Sequence, residues 1–395
     1  MPYLKFSVPV FGGTELTLSD FSLLSLAFVN ISLIKKIDRR YAEYLMFFLL
    51  FNVLILFSIF QAREYTIFLR DYIPNIFAFL IIVTTLILFS GKNNLGNLIR
   101  IRNVLCIALI LSAIPAYMES LTGIKLPLFY DKYMWRYAFL AQNPNQYGVA
   151  SILFMFLIII IDMMFKRKNI KYNLILLIIC LVPMLYSGSR TAILSFSIGV
   201  SMILFFLFSR FSILQKVIIT PIVGILLVVG VTNLLIFMKG KGGQINRALS
   251  IFEQIDKGEN IGEIEGGTGI SINEAVVLFR KYPIFGVGIG NKVAHSRIRV
   301  EIHNTYLKFL AETGIIGFIG FLLIFTLPLI TILGCHTDLL NKFIILIFYL
   351  IFAAMNYPHM LLRQRWVWFF MVMVFIIGKI ANDEYRENQQ ILTNA

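Results

Sequence analysis

YPIFGVGIGNKVAHSRIRVEIHNTYLKFLAETGIIGF, Tyr282 to Phe318, is the stretch in which a polar, glycine-rich, ionisable segment runs directly into an apolar helix. Outside it the chain is greasy. Of 395 residues, 58% are hydrophobic and only 14% charged, and the mean hydropathy is +0.82. A soluble chain of this length would have more apolar surface than one core can bury. The composition therefore predicts an all-α polytopic membrane protein, with Tyr282–Phe318 as its polar exception.

The formal net charge of +14 has an ordinary explanation, because Lys and Arg collect in the cytoplasmic loops of polytopic proteins. Nucleic-acid binding is excluded, since no basic groove runs through the apolar bands. Cys106, Cys180 and Cys335 lie far apart, within or at the ends of apolar runs, and have no metal-ligand spacing; they read as packing residues. The first apolar run follows the acidic Asp20 and is followed by further spans, unlike a cleavable signal.

Apolar runs near the ~20 residues needed to cross a bilayer occur at 21–34, 42–60, 73–90, 103–117, 146–165, 172–187, 191–209, 216–238, 314–333, 343–357 and 366–380. This predicts 11 to 12 transmembrane helices, the opening MPYLKFSVPVFGG reading as an interfacial or re-entrant stretch. Three parts are expected: 1–238 with the first eight spans, an outer-face segment at 239–313, and 314–395 with the last spans and a tail. Basic residues fall in alternate short loops: Lys35, Lys36, Arg39 and Arg40; Lys92, Arg100 and Arg102; Lys166, Arg167, Lys168 and Lys171; Arg210 and Lys216. Those loops are then cytoplasmic. The remaining loops, with NPNQYG (Asn143–Gly148), SGSRT (Ser187–Thr191), the 239–313 segment and HMLLRQR (His359–Arg365), all face outward. Four separated polar motifs on one face point to a single site there.

Within 239–313, ten basic residues nearly balance eight acidic ones, so the segment is a subdomain and not a basic patch. Ser250-Ile-Phe-Glu253 and Ser271-Ile-Asn-Glu274 fit the capping-box pattern and predict short helices at 251–257 and 272–282. The acidic, glycine-rich run between them reads as a loop. Gly286, Gly288 and Gly290 alternate in FGVGIGN. A dinucleotide fingerprint is excluded, because the spacing is GxGxG and no βαβ unit surrounds it. A tight backbone turn at the membrane surface and a direct phosphate contact both remain open.

His303 and Asn304 stand where this segment hands over to a helix running through Leu307 and Leu310 to Glu312. An imidazole at such a position can serve as a general base or bind a sugar hydroxyl, or be structural. Arg190 follows a small-residue turn at the mouth of a span, and Arg363 and Arg365 crowd an outer turn where the charge bias disfavours them. Guanidinium groups grip phosphate in bidentate fashion; snorkelling to head groups is the alternative.

The run IHNTYLKFLAETGIIGFIGFLL, preceded by YPIFGVGIGN, resembles the signature region of the O-antigen ligase and polymerase superfamily, and YSGSRTAILSF and QNPNQYGVA resemble its upstream motifs in the expected order. The resemblance implies a GT-C-like glycosyltransferase of the bacterial inner membrane that works at the periplasmic face without a metal or other cofactor. It implies undecaprenyl-diphosphate-linked oligosaccharide as donor, membrane lipid as surroundings, and a chain-length regulator protein among candidate partners. Carried over by motif, Arg190 contacts the diphosphate and His303 assists the acceptor hydroxyl, while Asn304, Asn143 and Asn145 shape the pocket and Glu312 lines it. An arginine that family members place ahead of the proline-glycine turn is missing, for this chain reads GGTGIS at 266–271. Arg280 or Arg247 replaces it, or Arg363 and Arg365 close the anion site from the other side.

PVFGGTELTLSDFSLL at the N-terminus resembles polymerase openings, which favours an O-antigen polymerase over a ligase that transfers glycan to lipid A-core. A flippase or other transporter fits less well: the spans carry few ionisable residues at mid-depth and no inverted repeat is apparent.

Overall fold

The computed structural model describes residues 7–10, 14–17, 23–25, 37–91, 93–124, 126–130, 137–139, 141, 143–165, 170–209, 268–295, 302, 304–357 and 364–394. Ser7–Val10 (β1) and Thr14–Thr17 (β2) pair antiparallel, with Ser7 opposite Thr17. This hairpin occupies the opening that the sequence had marked as interfacial or re-entrant.

All further described elements are helical, and the architecture is that of an all-α polytopic membrane protein. Among the described residues, six helices are long and apolar enough to cross a membrane. They are Arg39–Leu56 (α1) with its tighter continuation Phe57–Gln61, Tyr65–Phe89 (α2), Asn94–Thr122 (α3), Pro144–Met164 (α4), Thr305–Gly334 (α9) and the first part of Arg365–Asn394 (α11). Ile170–Ser187 (α5), Arg190–Ser209 (α6) and Leu339–Met355 (α10) fall on three further expected spans. The expected span 216–238, all but 23–25 of 21–34, and the short helix at 251–257 lie outside the described residues. Thr268–Lys281 (α7) and the short Lys292–His295 (α8) belong to the polar segment. Because α7 begins at Thr268, Ser271 sits inside the helix and does not cap it, a correction to the capping-box reading.

The chain forms two compact units, one of residues 1–107, 157–169 and 262–395, the other of 108–156 and 170–261. In the first, α1 buries Tyr41, Tyr44, Phe48, Phe51 and Ile55, spaced three and four apart on one helical face. The rings of Phe48 and Phe51 lie 5.1 and 5.6 Å from that of Trp368, and Phe51 lies 5.9 Å from Phe309. Aromatic packing thus ties α1 to α9 and α11.

At one end of this unit, Asp38 N–H donates to Ser90 Oγ at 2.9 Å, Arg40 meets Asp383 at 2.5 Å, Lys379 meets Glu43 at 2.7 Å, Arg102 meets Asp162 at 2.9 Å and His336 N–H donates to Asn382 at 2.8 Å. Residues 57–64 join the 286–295 stretch instead: Arg63 donates to Ala294 C=O at 2.9 Å and Asn291 Oδ1 accepts from Glu64 N–H at 2.8 Å.

α9 is broken at Gly314, whose φ of 62° and ψ of −167° are not helical. A break inside an apolar helix frees backbone groups that cost several kcal/mol each if left bare in hydrocarbon. Here they are taken up by residues 283–288. Val287 and Gly288 N–H donate to the carbonyls of Ala311 and Glu312 at 3.0 and 2.9 Å, and Ile315 and Ile316 N–H donate to those of Pro283 and Ile284 at 2.8 and 3.4 Å. Gly286, Gly288 and Gly290 all have positive φ. A Cβ on Gly288 would lie 2.8 Å from that of Ala62, and one on Gly290 would run into the Asp71 carboxylate. The alternating glycines are therefore a tight turn docked on a helix break, the first of the two readings left open by the sequence.

A Cβ on Gly314 would collide with the carbonyl of Ile284. Gly314→Ala should destabilise the protein by roughly 2 kcal/mol or more, from left-handed backbone cost plus overpacking. Gly334→Ala, at a position with nothing within 4 Å, should leave the thermal unfolding midpoint in detergent unchanged. Equal midpoints for both variants would contradict the account of the break.

Candidate functional site

In the second unit, two of the sequence motifs meet. Asn143 starts α4: its side-chain oxygen accepts from Asn145 N–H at 2.8 Å and its carbonyl from Tyr147 N–H at 3.1 Å. Pro144, with no N–H to leave bare, follows at the first helical position. Ser189 starts α6 in the same way, its hydroxyl taking Ala192 N–H at 3.4 Å and its carbonyl Ile193 N–H at 3.0 Å. Arg190 is then the first residue of α6. The turn before it uses Gly188 at φ 57°, with Ser187 and Ser189 fully buried.

Gly148 is where the two helix starts touch. A Cβ there would lie 2.7 Å from Ala192 Cβ and 3.2 Å from both Ser187 Oγ and Ser189 Cβ. Glycine and serine allow this close approach, so Asn143, Asn145 and Arg190 emerge from adjoining helix N-termini. Each such terminus carries a partial positive charge and free N–H groups, which favour anions. Beside them is an aromatic cluster. Tyr137 N–H donates to Tyr186 C=O at 3.2 Å, the Tyr137 hydroxyl donates to Ser112 C=O, Ser112 Oγ and Tyr147 Oη are 3.1 Å apart, and the Tyr137 and Tyr147 rings pack edge-on at 5.3 Å. This buried network fixes the loop after α3 against the ends of α4 and α5. Asn143 is exposed and Asn145 half-buried.

The first unit contains the remaining candidates. Asn304 caps α9, its Oδ1 accepting from Leu307 N–H at 3.0 Å. It is 2% exposed, and its Nδ2 is buried without a hydrogen-bond partner. The start of α9 is clamped to the end of α10: Thr305 N–H donates to Asn356 C=O at 3.1 Å, and the Tyr306 hydroxyl to Ala353 C=O at 2.6 Å. Asn356 is also fully buried with an unpartnered Oδ1. Two orphaned amide atoms of opposite hydrogen-bonding sense at the start of α9 are unusual in a packed interior. The sequence left no signal for Asn356, whose partners come from a distant helix.

Glu312 is buried on α9, 3.7 Å from Lys308 one turn earlier. Arg280 is exposed near the end of α7, where cations favour the helix dipole. Arg365 begins α11, half-buried, its guanidinium 4.8 Å from the centre of the Phe77 ring. His303, Arg363, Arg247 and the side chain of Arg190 lie outside the described residues. Arg190, Asn143 and Asn145 thus belong to one unit, and Arg280, Asn304, Glu312 and Arg365 to the other. Among the described residues no group of three His, Cys, Asp or Glu side chains has metal-binding geometry.

One histidine that sequence reasoning passed over is structurally tied. His295 Nε2 lies 3.0 Å from Gln61 C=O, and its ring packs edge-on against Tyr282 at 5.1 Å. Burial, followed by the positive charges of Arg63 and Lys281, pushes its pKa below the usual 6.5, although the bond to Gln61 opposes this.

Residues 174–322 match a family described as O-antigen ligase. The matched stretch runs from within α5 to beyond the Gly314 break and contains Ser187–Arg190, the glycine turn and Asn304. No curated protein matches the chain.

Gly148→Ala should reduce activity by about tenfold or more, the order of loss that small misplacements of positioning groups produce, at normal membrane levels. Ala192→Gly in the same chain should restore it, since it removes the opposing Cβ; failure of the double variant to recover would contradict the contact. Because the His295 pKa is lowered in the folded state, the unfolded state takes up the proton first on acidification. The stabilisation is complete above pH 6.5 and is lost as pH falls through the lower folded value. Thermal midpoints measured against pH should show this loss in the wild type and a smaller one in His295→Gln.

Proposed function

We propose, from the match of residues 174–322 to a family described as O-antigen ligase, that the chain is a membrane glycosyltransferase that polymerises undecaprenyl-diphosphate-linked oligosaccharide repeats into O-antigen or a related surface polysaccharide. It sits in the bacterial inner membrane and works at the periplasmic face. The observation that carries this reading is the junction at Gly148, where two helix N-termini adjoin with Arg190 as the first residue of one of them. Such a junction suits a diphosphate.

In this reaction Arg190 neutralises the charge that grows on the diphosphate as the anomeric carbon–oxygen bond breaks. His303 takes the proton of the attacking sugar hydroxyl as the new glycosidic bond forms. Diphosphate is a good leaving group, so the arginines provide what a metal would otherwise supply. A single displacement inverts the anomeric centre. Asn304, Asn143 and Asn145 bind the glycan in this scheme, and Arg280, Arg363 and Arg365 are the candidates for a second cation in place of the missing arginine. Glu312 takes part through its ion pair with Lys308 on α9.

A ligase that transfers the glycan to lipid A-core is the second reading, favoured by the description of the matched family. The PVFGGTELTLSDFSLL opening and the missing arginine favour the polymerase.

Deletion of the gene should leave lipopolysaccharide with a single repeat on the core and no ladder. Complete loss of attached repeats, with lipid-linked polymer accumulating, assigns the ligase instead; an unchanged ladder refutes both. Arg190→Ala and His303→Ala should each lower activity by about a hundredfold or more at unchanged membrane levels, and full activity removes that residue from the mechanism.

A further inference from the structure

Two cations in the first unit stand out for what holds them. Arg63 donates Nη1–H to Ala294 C=O at 2.9 Å, and Lys281 Nζ lies 5.5 Å from the centre of the Tyr282 ring. Tyr282 packs edge-on against His295, which is bonded in turn to Gln61. The two charges therefore lie around one small core of neutral groups. Neither forms an ion pair among the described residues, whereas Arg70 on α2 is paired with Asp71 at 2.9 Å.

The same two chain segments are apolar a few residues away. Phe57 and Phe60 have ring centres 6.4 and 6.1 Å from that of Phe285. Phe60 is 70% exposed and Ile284 53%. Residues 57–61 end a helix long and apolar enough to cross a membrane, and the ends of such helices are where aromatic rings and cations meet head groups and chains. A freely snorkelling Lys or Arg selects no particular lipid. Here the guanidinium is anchored through one nitrogen and keeps its other donors for an oxyanion, and little mobility is lost on binding.

We propose that this surface binds one membrane lipid with a phosphate or diphosphate group, its anion between Arg63 and Lys281 and its chain over Phe60 and Ile284. The site uses none of the residues assigned to glycosyl transfer, so it stands or falls independently of that reaction.

The test compares the full chain with Arg63→Gln/Lys281→Gln, each in phosphatidylcholine nanodiscs with phosphatidylglycerol as the minor lipid, and counts retained lipids by native mass spectrometry. The preference for phosphatidylglycerol should fall about thirtyfold in the double variant, roughly fivefold for each cation near a lipid phosphate. Arg63→Lys/Lys281→Arg should keep most of it. Should the double variant fail to reach the membrane, Lys281→Gln, which removes only a ring contact, should still show roughly the fivefold loss. Repeating the measurement with undecaprenyl diphosphate in place of phosphatidylglycerol separates the sources. Retention of either or both above phosphatidylcholine, lost in the Gln variants, supports the site and names its lipid. Equal retention by wild type and the Gln variants overturns it.

Discussion

The interruption of α9 at Gly314 is the constraint on which the first unit depends. A helix in an apolar setting cannot be broken unless something else bonds its freed backbone groups, and the segment Pro283–Gly288 does so through four hydrogen bonds. That exchange explains several features together. Gly286, Gly288 and Gly290 hold positive φ because the segment must turn tightly while lying against α9, Ala62 and Asp71. Asn291 then bonds Glu64, and α8 reaches Gln61 and Arg63, so the end of α1 is anchored to the polar segment. The apparent loop is a plug for a helix break.

The second unit obtains a comparable result by the opposite means. No helix is opened at the Gly148 junction; two intact helix starts are brought side by side because small residues occupy the contact. Asn143 and Ser189 satisfy the first N–H groups of their helices, and buried tyrosines brace the loop behind them. Asn143, Asn145 and the backbone of Arg190 therefore stand at braced helix starts.

Much of this was legible in the chain. Apolar run length located nine of the eleven expected spans on described helices, because hydropathy over a span is a summed signal that survives local irregularity. Asn143-Pro144 and Ser187–Arg190 were visible as polar motifs, yet their shared contact was not, since it depends on one missing Cβ at Gly148. A tight turn was one of the two readings that the glycine alternation left open, but its partner, the break at Gly314, looks in sequence like one more small residue in a membrane helix. Ser271 shows the reverse error: the capping-box pattern is local, and the helix began earlier, at Thr268. Asn356 and His295 left no signal, because their significance comes from distant partners in the chain.

The central claim is chemical: a lipid diphosphate is the leaving group and a glycan is lengthened. The most direct measurement is reconstitution of the purified full chain in lipid vesicles with a defined undecaprenyl-diphosphate-linked repeat, followed by mass spectrometry of the lipid products. The account predicts lipid-linked glycans of two and more repeats, with one free undecaprenyl diphosphate for each linkage made and the new linkage inverted relative to the donor. Unchanged donor in the presence of a second lipid-linked repeat, or a new linkage that retains the donor configuration, would contradict it.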